Sequence, residues 1–246
     1  MLKKAFNIPE KSLISIIGAG GKTSLMFALA KELSKDSKVL VTTTTKIYVP
    51  EKSQYDYMAL RHEEMEEFKK SSENGIYVFG NEINDQGKFT GLDCKTIENL
   101  TNSFDCILVE ADGSKRKPLK GWKGPEPVIC DKTDITIGVV DIKTVGQRAN
   151  DENVFRLEEF TKLCDIDKGG VIEISHLAKM ILHPLGLFGK AVGKNIVFIN
   201  KVENEVDEQN SNLLAQELLR SEIIDHVVSG SIKNAIYKAR FISDRA

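Results

Sequence analysis

Residues 18–23 read Gly-Ala-Gly-Gly-Lys-Thr. Three glycines, then a lysine and a hydroxyl residue, are the materials of a phosphate cradle. Glycine tolerates positive φ and lets successive backbone N–H groups approach an anion closely. An ammonium at Lys22 would meet the outer phosphates of a nucleotide, and the Thr23 hydroxyl would ligate Mg²⁺. Gly18, Ala19, Gly20, Gly21, Lys22, Thr23 and Ser24 are therefore the first candidate binding residues, and Lys22 is also a candidate for catalysis. The spacing G-x-x-G-K-T is shorter than the common G-x-x-x-x-G-K-[ST], which would place a glycine at Ile16.

A second set of residues has the chemistry such a loop would need. "DCILVEADG" puts Glu110 and Asp112 just past an apolar run, where a carboxylate holds Mg²⁺ directly or through water. Both are candidate metal ligands and catalytic acids; a solvated strand end is the plainer alternative. The next stretch, "GSKRKPLKGWKG", has Lys or Arg at five of its twelve positions. Lys115 and Arg116 are the residues of this run expected to meet phosphate or a second anion. In "VTTTTKIY", Thr44, Thr45 and Lys46 are further candidates, although threonine is also an ordinary strand former. "INKVE" (199–203) is similar to the N-K-x-D guanine-reading motif, with Glu203 where Asp is usual. Asn200, Lys201 and Glu203 would then face the base; an ordinary strand-to-loop junction is the alternative. The shortened Gly loop resembles that of Mur-type ligases, and the acidic stretch resembles the V-E-x-A-G segment of dethiobiotin synthetase.

Other reactive side chains are sparse. His62 and His226 have no clustered partner. His176 and His183 are seven apart, but Pro184 marks a helix end and argues against a metal pair. Cys94, Cys106, Cys130 and Cys164 include no C-x-x-C pair, so neither a zinc ribbon nor a disulfide is expected. Cys106 reads as a core residue.

The elements that must position these groups are legible as an alternation. "SLISIIG", "KVLVTTTT", "FDCILVEADG" (104–113), "DITIGVVD" (134–141) and "NIVFINK" (195–201) read as strands, with "DHVVSG" (225–230) as a short final one. "GIYVFGNEINDQGKFTGLD" (75–93) reads as a strand, a turn at Asn84 to Gly87, and a return strand. Leu25, Met26, Leu29 and Leu33 fall near helical spacing after the Gly loop. A charged helix is expected in 61–74, and further helices over 156–164, 173–182 and 206–220. Strands alternating with helices imply a three-layer, mostly parallel α/β fold of P-loop NTPase type, in one domain spanning 1–246. In such sheets ligands bind outside the carboxyl ends of the strands, where every candidate above falls.

Composition narrows the classes. The chain has 246 residues, 41% hydrophobic and 28% charged, with a formal net charge of −2. Nothing there suggests broad binding to nucleic acid or an anionic membrane. No apolar run is long enough to span a bilayer, and "MLKKAFNIPEKS" lacks the apolar core of a signal peptide. The cytoplasm is the expected compartment.

Taken in order, "GAGGKTSL", "VTTTTKI", "LVEADGSKRKPLK", "EPVI", "HPLGLFGKA" and "FINKVEN" resemble the YqeC family over nearly the whole chain, from Ser12 to about Val206. Two positions depart from the family pattern: Phe155 stands before Arg156 where histidine is typical, and Cys130 follows "EPVI" where proline is. The resemblance implies an accessory protein for selenium-dependent molybdenum hydroxylases, partnered by such a hydroxylase or a selenium-handling protein. With the loop chemistry, the expectation is a protein that binds GTP or ATP with Mg²⁺ and hydrolyses it. The alternatives are a ligase or kinase acting on a small acidic acceptor, and a non-catalytic nucleotide sensor.

Overall fold

The computed structural model describes residues 1–241. A single helical turn, α1 (Leu2–Ala5), precedes β1 (Ser12–Gly18), whose seven residues are all buried. The Gly loop then leads into α2 (Lys22–Leu33). The chain continues through β2 (Lys38–Thr43), β3 (Lys46–Tyr48), β4 (Tyr57–Ala59), α3 (His62–Lys70), β5 (Gly75–Phe79) and β6 (Lys88–Thr90). After these come α4 (Cys94–Asn99), β7 (Cys106–Glu110), β8 (Leu119–Lys120), β9 (Ile135–Asp141), β10 (Val154–Phe155), α5 (Leu157–Cys164) and α6 (Ile174–Leu182). The last elements are β11 (Lys194–Asn200), α7 (Glu205–Leu218), β12 (His226–Ser231) and β13 (Ile236–Phe241).

Nine strands form one sheet in the order β13-β12-β11-β9-β1-β7-β2-β5-β4. Every pairing is parallel except that of β13, which runs antiparallel to β12 at the edge. Fully buried strands such as β1 read as continuous apolar runs because helices cover both faces. Successive residues of β1 divide between those faces. Ile14 and Ile16 pack with Leu25, Met26 and Leu29 of α2, while Leu13 joins α3 and α4 and Ile17 joins α5, α6 and α7. Each of those fully buried α2 side chains contributes about 1.5–3 kcal/mol. The expected three-layer, mostly parallel α/β architecture is what the chain adopts.

The topology fixes where a ligand can sit. From β1 the chain runs toward β2 and the β5/β4 edge, returns to place β7 beside β1, then crosses to β9 on the other side. β1 is therefore the switch point, where the flanking connections diverge and leave a crevice at the carboxyl ends.

Three sequence expectations need correction. The return strand of 75–93 does not pair with β5. The turn forms, with an Ile83–Phe89 bridge, but β6 pairs antiparallel with β3, forming a separate ribbon. β12 is not the last strand, because β13 pairs along it. Cys94 and Cys130 are joined as a disulfide, their Cα atoms 5.0 Å apart. They lie 36 residues apart in the chain, so sequence spacing gave no hint of the contact. Cys106 and Cys164 are free and buried, and burial pushes the Cys164 thiol up to about 12. Among the described residues no helix is long and apolar enough to cross a membrane.

Candidate functional site

The Gly loop is held from behind by its neighbours. Gly20 (φ 86°) and Gly21 (φ 130°) adopt backbone conformations that side chains rarely take. A Cβ on Gly20 would stand 2.4 Å from the Asp141 Cβ, and one on Gly21 would stand 2.4 Å from the Asn200 Nδ2. Gly20 has no room for anything larger, and at Gly21 a side chain would have to displace the Asn200 amide. Asn200 Nδ2 donates to the Gly20 carbonyl at 2.8 Å, so the end of β11 braces the loop. The N–H groups of Lys22, Thr23 and Ser24 belong to the first turn of α2 and have no partner within the helix. All three residues line a large cavity at the carboxyl edge of the sheet.

Lys22 curls back into this loop. Its Nζ donates to the Gly18 carbonyl at 2.7 Å and lies 3.4 Å from Asp112 Oδ1 and 3.7 Å from Glu110 Oε1. It is almost wholly buried. Thr23 Oγ1 donates to Glu110 Oε2 at 2.6 Å, which joins the first turn of α2 to the end of β7.

The two acids occupy different places. Glu110 lines the cavity with Thr23. Burial pushes its carboxyl above the ordinary range, against the opposing pull of Lys22 and the Thr23 hydrogen bond. Asp112 lies behind the loop and has no exposed surface. Its oxygens accept from the Gly18 N–H at 3.1 and 3.2 Å, from Lys120 Nζ at 2.9 Å and from Trp122 Nε1 at 3.0 Å. Burial would raise its pKa, but Lys22 and Lys120 outweigh that and hold the carboxyl below its ordinary value. Asp112 was expected to share the metal with Glu110; the structure instead engages its oxygens with the loop, Lys120 and Trp122, outside the cavity lining.

Lys120 and Trp122 come from the basic loop, in which the sequence pointed to Lys115 and Arg116 instead. The loop divides. Lys115, Arg116 and Lys117 line the cavity, whereas β8, pairing with β10, turns Lys120 inward. Lys120 is fully buried and also contacts the Gly113 carbonyl at 2.6 Å and Glu126 Oε2 at 3.2 Å. Arg156 NH1 lies 3.0 Å from the same Glu126 oxygen, extending the chain of charges away from the loop through two partly exposed side chains.

The remaining candidates are dispersed. Thr44 donates to the Val128 carbonyl and Thr45 shares its hydroxyl with Thr43, so both are spent on loop packing. Lys46 does line the cavity, as do Tyr48 of β3, Lys88 of β6 and Gln86 just before it. Lys201 lines it too, with its ammonium on Asp141, whose carboxyl burial pushes up. Glu203 is outside that lining. Its Oε2 accepts from Lys143 Nζ at 2.6 Å and its Oε1 from Ser231 Oγ at 3.2 Å, and the Lys143 hydrogen bond holds its carboxyl low. His176 Nδ1 accepts from the Glu173 N–H at the start of α6, and His183 caps that helix, so both have structural work.

The cavity has a volume of about 1240 Å³ and is lined by eight cationic side chains and two carboxylates. In a chain of net charge −2 that is a local concentration of positive charge. Such a cavity attracts anions and focuses their approach.

A family model described as YqeC protein matches residues 14–158. The chain is also 32% identical over 222 residues to the uncharacterized protein YqeC of Escherichia coli (strain K12), covering 88% of this chain and 84% of that protein. The chain belongs to the YqeC family. The span matched by the YqeC model takes in the Gly loop, Glu110, Asp112 and the whole basic loop, and ends in α5. Asn200, Lys201 and Glu203 fall outside it.

Proposed function

We propose that this YqeC-family protein binds a nucleoside triphosphate, GTP or ATP, with Mg²⁺ at the Gly loop and hydrolyses it. The observation that carries the reading is the pairing of Thr23 with Glu110 beside Lys22 at the mouth of a strongly cationic cavity. Free N–H groups and an ammonium suit phosphate oxygens. A hydroxyl and a carboxylate are the hard oxygen donors that suit Mg²⁺, which takes one or two protein carboxylates and completes its shell with water and phosphate. Among the described residues no group of three or more His, Cys, Asp or Glu could hold a metal ion. When bound, Mg²⁺ would offset the charge of the triphosphate, and Thr23 and Glu110 would hold it. Lys22 neutralises phosphate charge, Asn200 keeps the loop open, and Asp112 fixes the Gly18 N–H from behind.

The cellular role we propose comes from family membership: maturation of selenium-dependent molybdenum hydroxylases, with a hydroxylase or a selenium-handling protein as partner. Titration calorimetry with ATP and GTP, with and without Mg²⁺, and a phosphate-release assay test the chemistry. Mg²⁺-dependent binding followed by slow release is the expected result. No binding of either nucleotide at millimolar concentration would overturn the reading. Faster release on adding a molybdenum hydroxylase would support the role.

A further inference from the structure

The cations of the cavity fall into two groups. Lys22, Lys143 and Lys201 each have a carboxylate partner: Glu110 and Asp112, Glu203, and Asp141. Lys117 is bound to the carbonyls of Asp151 and Val154. Lys46, Lys88, Lys115 and Arg116 form no ion pair with any carboxylate among the described residues, yet all four line the same cavity. Three of the four contact an aromatic ring. The Arg116 guanidinium sits 4.1 Å from the centre of the Tyr48 ring, the Lys88 ammonium 4.9 Å from it, and Lys115 lies 5.2 Å from the Phe155 ring. Rings orient such cations without neutralising them.

Their position is as informative as their charge. Lys46, Tyr48 and Lys88 stand on the β3–β6 ribbon, where Tyr48 is directly opposite Lys88. The ribbon follows β2, two strand positions from β1, which is roughly 10 Å along the sheet edge. Lys201, the base-side candidate that lines the cavity, stands just past β11, two positions from β1 on the opposite side. A nucleotide with its phosphates over β1 and its base toward β11 therefore leaves the β2 side free. The cavity also exceeds the roughly 300–1,000 Å³ that one small ligand needs.

We infer that Lys46, Lys88, Lys115 and Arg116, arranged about Tyr48, form a second anion subsite. It takes the phosphate or carboxylate group of a small acidic co-reactant, held beside the outer phosphate of the nucleotide. Arginine presents a planar fork that matches either oxyanion, and Tyr48 fixes its plane. The inference rests on the nucleotide reading only for what occupies the Gly-loop end.

The test is calorimetric titration of inorganic phosphate, and separately of succinate, into three proteins. These are the wild type, Lys88→Gln/Arg116→Gln, and Lys22→Gln/Glu110→Gln. The last removes one positive and one negative charge together, and circular dichroism confirms that each variant is folded. The expected result is that Lys88→Gln/Arg116→Gln loses affinity for at least one of the two anions by about tenfold or more. The same anion still binds Lys22→Gln/Glu110→Gln, and nucleotide affinity in the ribbon variant changes by less than about threefold. Which anion is lost tells a phosphate-bearing from a carboxylate-bearing co-reactant. The subsite is overturned if neither anion binds the wild type, if the Gly-loop variant abolishes all anion binding, or if the ribbon variant loses nucleotide and anion in equal measure. If the wild type binds no nucleotide but the ribbon variant still loses the anion, the nucleotide reading fails and the subsite stands.

Discussion

Replacing Asp112 by asparagine exchanges one oxygen for an amide nitrogen at nearly constant shape. Both oxygens of Asp112 accept hydrogen bonds, from Gly18, Lys120 and Trp122, so either orientation of the amide points an N–H group at another donor. The substitution also takes the negative charge from between two buried ammonium groups, Lys22 and Lys120. Lys22 keeps Glu110 and Lys120 keeps Glu126, so each retains a partner. Breaking a buried pair from one side costs about 3–5 kcal/mol. In a chain of this size each kcal/mol moves the unfolding midpoint by about 2–4 °C, so Asp112→Asn should lower it by about 6–20 °C at neutral pH. Glu110→Gln is the internal comparison. Burial holds the Glu110 carboxyl above its ordinary 4.5, so its ionised form works against the fold, and folding becomes less favourable as pH rises through that window. Its replacement should be neutral or stabilising above pH 4.5 in the nucleotide-free protein. Asp112 has the opposite sign. Its folded-state pKa lies below 3.8, so its contribution is present above that pH and is lost as pH falls through the folded value. The deficit of Asp112→Asn should therefore shrink in acid. Thermal unfolding followed by circular dichroism across pH measures all of this. If Asp112→Asn melts within about 2 °C of the wild type while losing turnover, Asp112 belongs to the chemistry and the division of labour drawn here is wrong.

Three further outcomes follow from the same contacts. Lys22→Gln should weaken triphosphate binding by about tenfold or more, because charge-assisted hydrogen bonds to phosphate are each worth about 1.5–3 kcal/mol; unchanged affinity by calorimetry would remove the Gly loop from the site. Asn200→Ala deletes the bond to the Gly20 carbonyl and should cost about 1 kcal/mol in urea unfolding while also weakening nucleotide binding; a stability loss without any binding loss would separate the brace from the site. Guanine recognition by Glu203 requires its carboxylate to leave Lys143, so Lys143→Ala should sharpen a preference for GTP over ATP and Glu203→Ala should erase it. Equal displacement of GTP by ATP in all three proteins would leave "INKVE" as a strand end.

The features legible in sequence were those whose causes are local. The Gly loop is one strand, one turn and one helix in immediate succession, and α5, α6 and α7 carry helical spacing within single segments. What escaped depends on contacts between distant segments. The β3–β6 ribbon joins two three-residue strands about forty positions apart, too short to show a period. Lys120 looked like any other lysine of a basic loop until the β8–β10 pairing turned it inward. β13 has the sequence "IYKARF", whose mixed polar pattern fits an edge strand and carried little signal beside the buried ones.

The two acids show the same limit at its smallest scale. Glu110 and Asp112 are two residues apart, a spacing that places side chains on one face of a continuing strand. On that rule both would reach the cavity and share a metal. The parallel ladder, however, ends at Glu110, which pairs with Ile16. Beyond it the Ala111 N–H bonds to the Ile16 carbonyl, and the Ala111 carbonyl accepts from the Val128 N–H of another loop. The Ala111 carbonyl, which would be next in the ladder to take the Gly18 N–H, is engaged elsewhere, and the Asp112 carboxylate accepts that N–H instead. One carboxylate is left at the cavity wall beside the Thr23 hydroxyl, and the other holds in place the loop that the first one faces. If the site holds a metal and a phosphate as proposed, it needs both, because a Gly loop without such an anchor would lose its shape to the freedom that its glycines provide.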